Sequence, residues 1–91
     1  MHTVVVTASI DQGRKAEALE HLHNEVVPRV RQVPGVVASY WLLSDDGQGL
    51  SFHLYQDEAF AQAAAEQVRN APRPDSITVT KVEVREVIAQ I

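Results

Sequence analysis

Hydrophobic residues recur along this chain with two different periods, and the order of the periods predicts the fold. A period of two, typical of β-strands, covers residues 3–10, 36–44, 50–55 and 76–88. A period of three to four, typical of helices, covers residues 14–33 and 58–70. The predicted order is β-α-β-β-α-β. Hairpin-linked central strands and two right-handed crossovers make this a ferredoxin-like α+β fold, with a four-stranded antiparallel sheet and two helices on one face.

Local signals predict where the helices begin, bend and end. Asp57 is a good N-cap for the second helix. Pro28 interrupts the first helix because it has no N–H to give to the Asn24 carbonyl, so we expect one kinked helix, with a break into two helices as the alternative. Pro34 and Gly35 then end it.

Two strands carry more hydrophobic residues than one covered face needs. The strand at residues 36–44 is apolar on both faces, and in the last strand the apolar phase changes near Thr80 and Lys81. Either a bulge causes that change, or both faces of the strand are buried in different segments. Two helices cover only one face of the sheet, so the other would be a large exposed apolar patch. We therefore expect a homodimer, a dimeric α+β barrel in which the sheets of two protomers pack together and the tail at residues 87–91 reaches the partner.

Composition narrows the class of protein further. The 91 residues predict one domain, residues 1–91. A net charge of −4 with interspersed signs argues against a nucleic-acid partner. No cysteine is present, which excludes disulfides and thiolate metal sites, and no apolar run is long enough to span a membrane. The cytoplasm is the default location, and we expect no membrane partner.

Three stretches resemble the antibiotic-biosynthesis-monooxygenase (ABM) family of the dimeric α+β barrel superfamily. They are the helix–Pro-Gly–strand junction at residues 30–36, the strand–Asp–helix junction at residues 52–60, and the terminal strand at residues 82–87. In order and length the resemblance spans nearly the whole chain. It implies a small hydrophobic cavity between sheet and helices, and an activity like those of cofactor-free quinone-forming oxygenases, quinol oxygenases or haem-degrading enzymes.

The residues that the haem-degrading relatives use are not found at the matching positions of this chain. Those relatives use an Asn on the first strand, a Trp at the end of the third strand and a His in the second helix. Here the first strand has no Asn, Tyr55 stands at the Trp position, and the middle of the helix is Ala63, Ala64 and Ala65. We therefore expect no cofactor.

His53 and Tyr55 are the candidate catalytic residues, because they share one face of the third strand. In a cofactor-free oxygenase His53 would act as a general base and Tyr55 would bind a phenolic substrate by a hydrogen bond. The alternative places both on the outer or dimer face, with their polar atoms bonded to water or to the partner.

Trp41, Tyr40 and Phe60 are the candidate substrate-binding residues, as aromatic walls suit a flat organic ligand. Trp41 and Tyr40 point to opposite faces of one strand, so core or interface packing is the alternative for each. The histidines lack the convergent ligands of a metal site, and we assign no metal. The leading hypothesis is a homodimer that binds a small aromatic metabolite and oxidises it with O₂ as a monooxygenase. The alternative is a non-catalytic dimeric module that binds a ligand or another protein.

Overall fold

A computed structural model describes all residues from Met1 to Ile91. The elements in chain order are β1 (His2–Ile10), α1 (Lys15–His21), a π-helical turn (Leu22–Val26), α2 (Val27–Arg31), β2 (Val36–Leu43), β3 (Gln48–Tyr55), α3 (Glu58–Asn70) and β4 (Ile77–Glu86). A short 3₁₀ turn, Gln12–Arg14, precedes α1.

The four strands form one antiparallel sheet in the order β2-β3-β1-β4. This is the ferredoxin-like arrangement that the sequence predicts, with the helices on one face. On the helix face, Val4 and Val6 of β1 pack against the buried alanines of α3. The register pairs Val4 with His53 and Val6 with Ser51. Because directly opposed residues project to the same side, His53 and Ser51 also face the helices.

The first helix is continuous, but it contains an irregular turn just before Pro28. The backbone N–H of Val27 bonds to the carbonyl of Leu22, five residues back, which is the π-helical pattern. Pro28 lies in the first turn of α2. The wider turn moves the preceding carbonyls away from the proline ring, which would collide with Asn24 in a regular α-helix. Of the two predicted possibilities, one helix with a kink at Pro28 or a break into two, the helix is continuous, with a π-helical turn before Pro28, and it ends at Arg31 rather than Val33.

Gly35 makes the turn between the first helix and β2. Its φ of +80° lies in the left-handed region that favours glycine. Its carbonyl accepts a hydrogen bond of 2.9 Å from the Gln56 backbone N–H, which ties the turn to the end of β3. A β-carbon on Gly35 would overlap the ring of Phe60 and lie 3.0 Å from the Phe60 Cβ. Asp57 caps α3 by accepting a hydrogen bond from the Phe60 N–H, as predicted.

A β-bulge in β4 explains its change of apolar phase. The register moves from Thr7 opposite Lys81 to Ala8 opposite Val79, so Thr80 is the extra residue. Of the two explanations the sequence left open, the bulge is correct. It also corrects one expectation: β4 is not apolar on both faces. The residues on its helix face are Ile77, Val79, Val82 and Val84, and those on the opposite face are polar or charged.

The face of the sheet away from the helices, here called the open face, is apolar over β2 and β3. Its β2 and β3 residues are opposed in the pairs Ala38–Leu54, Tyr40–Phe52 and Leu42–Leu50. Tyr40 is 60% exposed and Leu42 is 49% exposed. At the β4 edge the open face becomes charged, where Glu83 pairs with Lys81 and Arg85. The sheet thus exposes an apolar patch beside a charged margin.

Candidate functional site

A cavity of about 230 Å³ lies between the helix face of the sheet and the helices. It exists because α3 presents small side chains, among them Ala64, while the first helix packs against the sheet less closely than α3 does. Of its 27 lining residues 19 are hydrophobic, so the few polar groups among them determine what chemistry the cavity supports. His53, Tyr55 and Trp41 all line it.

His53 is held on the sheet by two serine hydroxyls. Its Nδ1 lies 2.9 Å from Ser39 Oγ on β2, and its Nε2 lies 2.8 Å from Ser51 Oγ on its own strand. A neutral imidazole has one donor and one acceptor nitrogen, so one serine donates a hydrogen bond to the ring and the other accepts one. The side chain is only 4% exposed. The imidazole is thus fixed in position and fully bonded.

Burial keeps His53 uncharged. Desolvation lowers the pKa of His53 from 6.5 to about 4, because no carboxylate is near enough to compensate an imidazolium. Trp41, opposite Ser51, meets the ring edge-on, with 5.1 Å between ring centroids and 72° between planes. At neutral pH the site therefore contains a neutral imidazole against an indole.

Tyr55 lies two residues further along the same strand and is 2% exposed. It is paired with His2 on β1 and Val36 on β2. Burial raises the pKa of the Tyr55 hydroxyl above its usual value of 10.0. The side chain therefore stays protonated at neutral pH, which makes it a hydrogen-bond donor.

The five candidate residues from the sequence separate into two groups. The cavity brings together His53, Tyr55 and Trp41. Tyr40 lies on the open face, opposite Phe52, and Phe60 packs against Gly35 and the edge of the core. The alternative that put His53 and Tyr55 on the outer face is wrong, because the register places both under the helices.

Ser39 and Ser51 are the site residues that the sequence reasoning did not single out. The signal was present: a hairpin between β2 and β3 sets residues on the two strands opposite each other, and the pairing of Ser39 with His53 follows from its register. Arg29 and Arg73 also line the cavity. From the sequence, Arg73 in the loop after the second helix could gate a cavity or bind an anion, although such a loop is more often solvated, and Arg29 is expected on the solvent side of the first helix.

We expect the stability of the fold to fall in acid because of His53. The unfolded chain takes up a proton near pH 6.5, whereas the folded chain resists it until about pH 4. The unfolded state thus binds more protons in this window, so the free energy of unfolding falls as the pH falls from 6.5 to 4, by up to about 3 kcal/mol from this group. Urea unfolding at fixed protein concentration across this range measures it. His53→Gln, which cannot titrate, should show a flatter dependence, and equal slopes would contradict the prediction.

No group of three or more His, Asp or Glu side chains is arranged to hold a metal ion. No helix is both long enough and apolar enough to cross a membrane.

Comparison with solved structures identifies the class of fold. No protein-family model matches the sequence, and no curated protein matches it. The fold matches a crystal structure of an antibiotic biosynthesis monooxygenase with a TM-score of 0.65 and 18% identity, over 98% of this chain and 100% of that one. The chain therefore has an ABM-like fold, as the sequence resemblance implied.

Two further structures with this fold have described ligands. The heme-degrader MhuD from Mycobacterium tuberculosis, with two hemes bound in its active site, matches with a TM-score of 0.74 and 13% identity, over 100% of this chain and 99% of that one. A monooxygenase from the gene ActVA-Orf6 of Streptomyces coelicolor, in complex with nanaomycin D, matches with a TM-score of 0.63 and 17% identity, over 99% of this chain and 89% of that one. Identities this low establish the shared fold alone.

The residues of this chain do not fit a haem. The middle of α3, where the haem-degrading relatives of the ABM family have a histidine, is Ala63, Ala64 and Ala65. Both ring nitrogens of His53 are already bonded to serines. The cavity of about 230 Å³ is also below the usual range of roughly 300–1,000 Å³ for drug-sized ligands. No haem-dependent step is therefore assigned to this chain.

Proposed function

We propose that the protein binds a small aromatic metabolite in this cavity and oxidises it with O₂ without a cofactor. The observation that carries the proposal is the neutral, positioned imidazole of His53 in a mostly apolar cavity, with Trp41 against it and Tyr55 beside it. The volume of about 230 Å³ favours a ligand of a few rings over a larger one.

Ser51 connects His53 to the substrate in this proposal, because Ser51 also lines the cavity. In the tautomer with the ring proton on Nδ1, this nitrogen donates a hydrogen bond to Ser39 Oγ. Nε2 then accepts a hydrogen bond from the Ser51 hydroxyl. The Ser51 oxygen then accepts a proton from the substrate while Ser51 passes its own proton to Nε2. Tyr55, kept protonated by burial, donates a hydrogen bond to the substrate oxygen.

The low pKa of His53 limits which substrates suit this mechanism. A group with a pKa of about 4 is a weak base, so the substrate anion must be stabilised by delocalisation and by Tyr55. Anthrone- and quinol-type molecules meet that requirement. For an anthrone, the methylene carbon loses two hydrogens and gains one oxygen atom of O₂. The other oxygen atom leaves as water, so the reaction balances without an added reductant.

The second candidate is a non-catalytic module that binds a ligand, and the bonding of His53 favours it. Both ring nitrogens are already satisfied, and such networks also occur where they only hold a core together. Oxygen consumption by the purified wild-type protein with anthrone and with a quinol separates the two candidates. Turnover above the uncatalysed rate supports the oxygenase, whereas saturable quenching of Trp41, the only tryptophan, without oxygen uptake supports the module.

We also propose that two protomers associate through their open faces. Tyr40, Leu42 and Leu50 are exposed large hydrophobic residues on this face, and they adjoin the half-buried Phe52 and Leu54. A second copy would cover them, whereas a lone protomer would leave them in water.

Tyr40→Asp is expected to convert the dimer to a monomer, since it places a charge at the centre of the apolar patch. Light scattering coupled to gel filtration at micromolar concentration measures the mass. Ala59→Asp adds the same charge at an exposed position of α3 and should remain dimeric. A monomeric wild-type protein, or a dimeric Tyr40→Asp variant, would refute this interface.

A further inference from the structure

The charged residues that line the cavity are both arginines. The chain carries an excess of acidic residues, with a net charge of −4, yet no Asp or Glu lines the cavity. Arg29 reaches it from α2 and Arg73 from the loop after α3. An apolar space with only cationic charges at its wall is complementary to an apolar ligand that carries an anionic group.

Both guanidinium groups are available to a ligand. The arginines that form ion pairs are Arg14, Arg69 and Arg85, so Arg29 and Arg73 are not neutralised by a carboxylate of this chain. Arg73 is half-buried, and its Nη2 donates a hydrogen bond of 2.5 Å to the Val68 carbonyl in the last turn of α3. This bond fixes the position of the guanidinium and leaves its other N–H groups free.

Arg29 lies at the opening of the cavity, and Arg73 directly follows Pro72, another residue of that opening, in the sequence. A shallow groove outside the cavity shares Arg29, Gln67, Ala71 and Pro72 with the cavity lining, so the cavity opens to solvent there. The acidic residue of the groove, Glu66, is already bonded to Arg69 at 3.4 Å and to Asn70 at 3.2 Å. An anion at the opening would therefore meet the unpaired Arg29, and Arg73 is the other unpaired cation of the cavity lining.

The π-helical turn contributes to this arrangement. It widens the first helix by about one residue per turn directly before α2. Residues within the turn and after it line the cavity, namely Leu22, Val26, Arg29 and Val30. Arg29 is exposed and also lines the cavity, so it lies at the boundary between the apolar inner face of the helix and solvent.

We propose that the ligand of this cavity is an amphipathic carboxylic acid, whose apolar body lies against Trp41 and His53 and whose carboxylate is bound by Arg29 and Arg73. The planar guanidinium matches a carboxylate by paired hydrogen bonds. A doubly charged phosphate fits less well, because the opening lies at the C-terminal end of α3, which carries the negative end of the helix dipole. The inference rests on the proposed function, since it concerns the ligand of the same cavity.

Calorimetric titration with two matched probes tests the proposal, namely naphthalene-2-carboxylate and its neutral analogue naphthalene-2-carboxamide. The wild-type protein is expected to bind the carboxylate roughly tenfold more tightly. Arg29→Gln and Arg73→Gln should each remove most of this preference and leave the affinity for the amide unchanged. Arg31→Gln is the matched control, because Arg31 lies on the same helix outside the cavity lining, and it should change both affinities by less than about twofold.

The outcomes separate this inference from the proposed function. The carboxylate site is overturned if the wild-type protein binds the two probes equally, or if Arg31→Gln loses as much of the preference for the carboxylate as Arg29→Gln and Arg73→Gln do. In either case the cavity still binds aromatic ligands. Absence of binding of either probe at millimolar concentration overturns both proposals. A preference for the carboxylate that Arg29→Gln and Arg73→Gln abolish supports both.

Discussion

Gly35→Ala is expected to destabilise the fold by about 3 kcal/mol, out of a total of about 5–15 kcal/mol for a domain of ordinary stability. A left-handed conformation costs a residue with a β-carbon about 1–2 kcal/mol. The new methyl group would also overlap the Phe60 ring, and overpacking of this kind costs about 1–3 kcal/mol. The turn cannot relax freely, because the Gly35 carbonyl is bonded to Gln56 at the end of β3.

Chemical denaturation of Gly13→Ala, Phe60→Ala and the double variant Gly35→Ala/Phe60→Ala separates the cost of the left-handed conformation from the cost of the overlap with Phe60. Gly13→Ala is the control: its φ is not in the left-handed region and its nearest contact is ordinary, so the loss should be below about 0.5 kcal/mol. Phe60→Ala removes the ring and leaves only the contact of 3.0 Å with the β-carbon of residue 60, so in this background Gly35→Ala should cost mainly the conformational part, about 1–2 kcal/mol. A loss in Gly35→Ala no greater than in Gly13→Ala would show that the turn tolerates a side chain.

His53→Gln is expected to lower the rate of substrate-dependent oxygen uptake by about 100-fold, because general base catalysis typically contributes a factor of about 10²–10⁴. Glutamine can keep a hydrogen bond to Ser39 or Ser51 but cannot take up a proton. Tyr55→Phe removes only the donor to the substrate oxygen, and a loss of about tenfold is expected from one hydrogen bond. An oxygen electrode with anthrone as substrate measures both.

His23→Gln is the matched control for that experiment. His23 lies in the π-helical turn and is exposed, so its rate should equal that of the wild type. Thermal unfolding of each variant shows whether a lost rate reflects lost structure. Unchanged rates in folded His53→Gln and Tyr55→Phe would refute the catalytic assignment, and the non-catalytic module would then be the better account.

The two hydrophobic periods predict the fold because strands and helices place apolar residues at different spacings, and the order of these spacings along the chain gives the order of the elements. The cap at Asp57 and the turn at Gly35 mark element boundaries by local chemistry, which acts over a few residues. The bulge at Thr80 was one of two open explanations, since an extra residue and a doubly buried strand produce the same pattern. Only the register of β4 against β1 distinguishes a bulge from a strand that is buried on both faces.

The site was less predictable, because it depends on which face of the sheet the helices cover. His53 and Tyr55 could be placed on one face from their spacing alone. Strand β2 is apolar on both faces, so its sequence could not decide whether Trp41 or Tyr40 faces the cavity. Arg29 follows the π-helical turn, and hydrophobic periodicity assumes a constant number of residues per turn, so the sequence pattern could not show that this exposed arginine also lines the cavity.

That turn also has a consequence for how the cavity can change over evolutionary time. A π turn is equivalent to a single residue inserted into an α-helix, and each residue of an α-helix advances by about 100°. Deletion of one codon within Leu22–Val26 would therefore rotate everything that follows in the helix by about that angle, turning Arg29 away from the opening. At the proposed carboxylate site, such a deletion would remove Arg29 from the ligand while every lining residue after the turn keeps its identity.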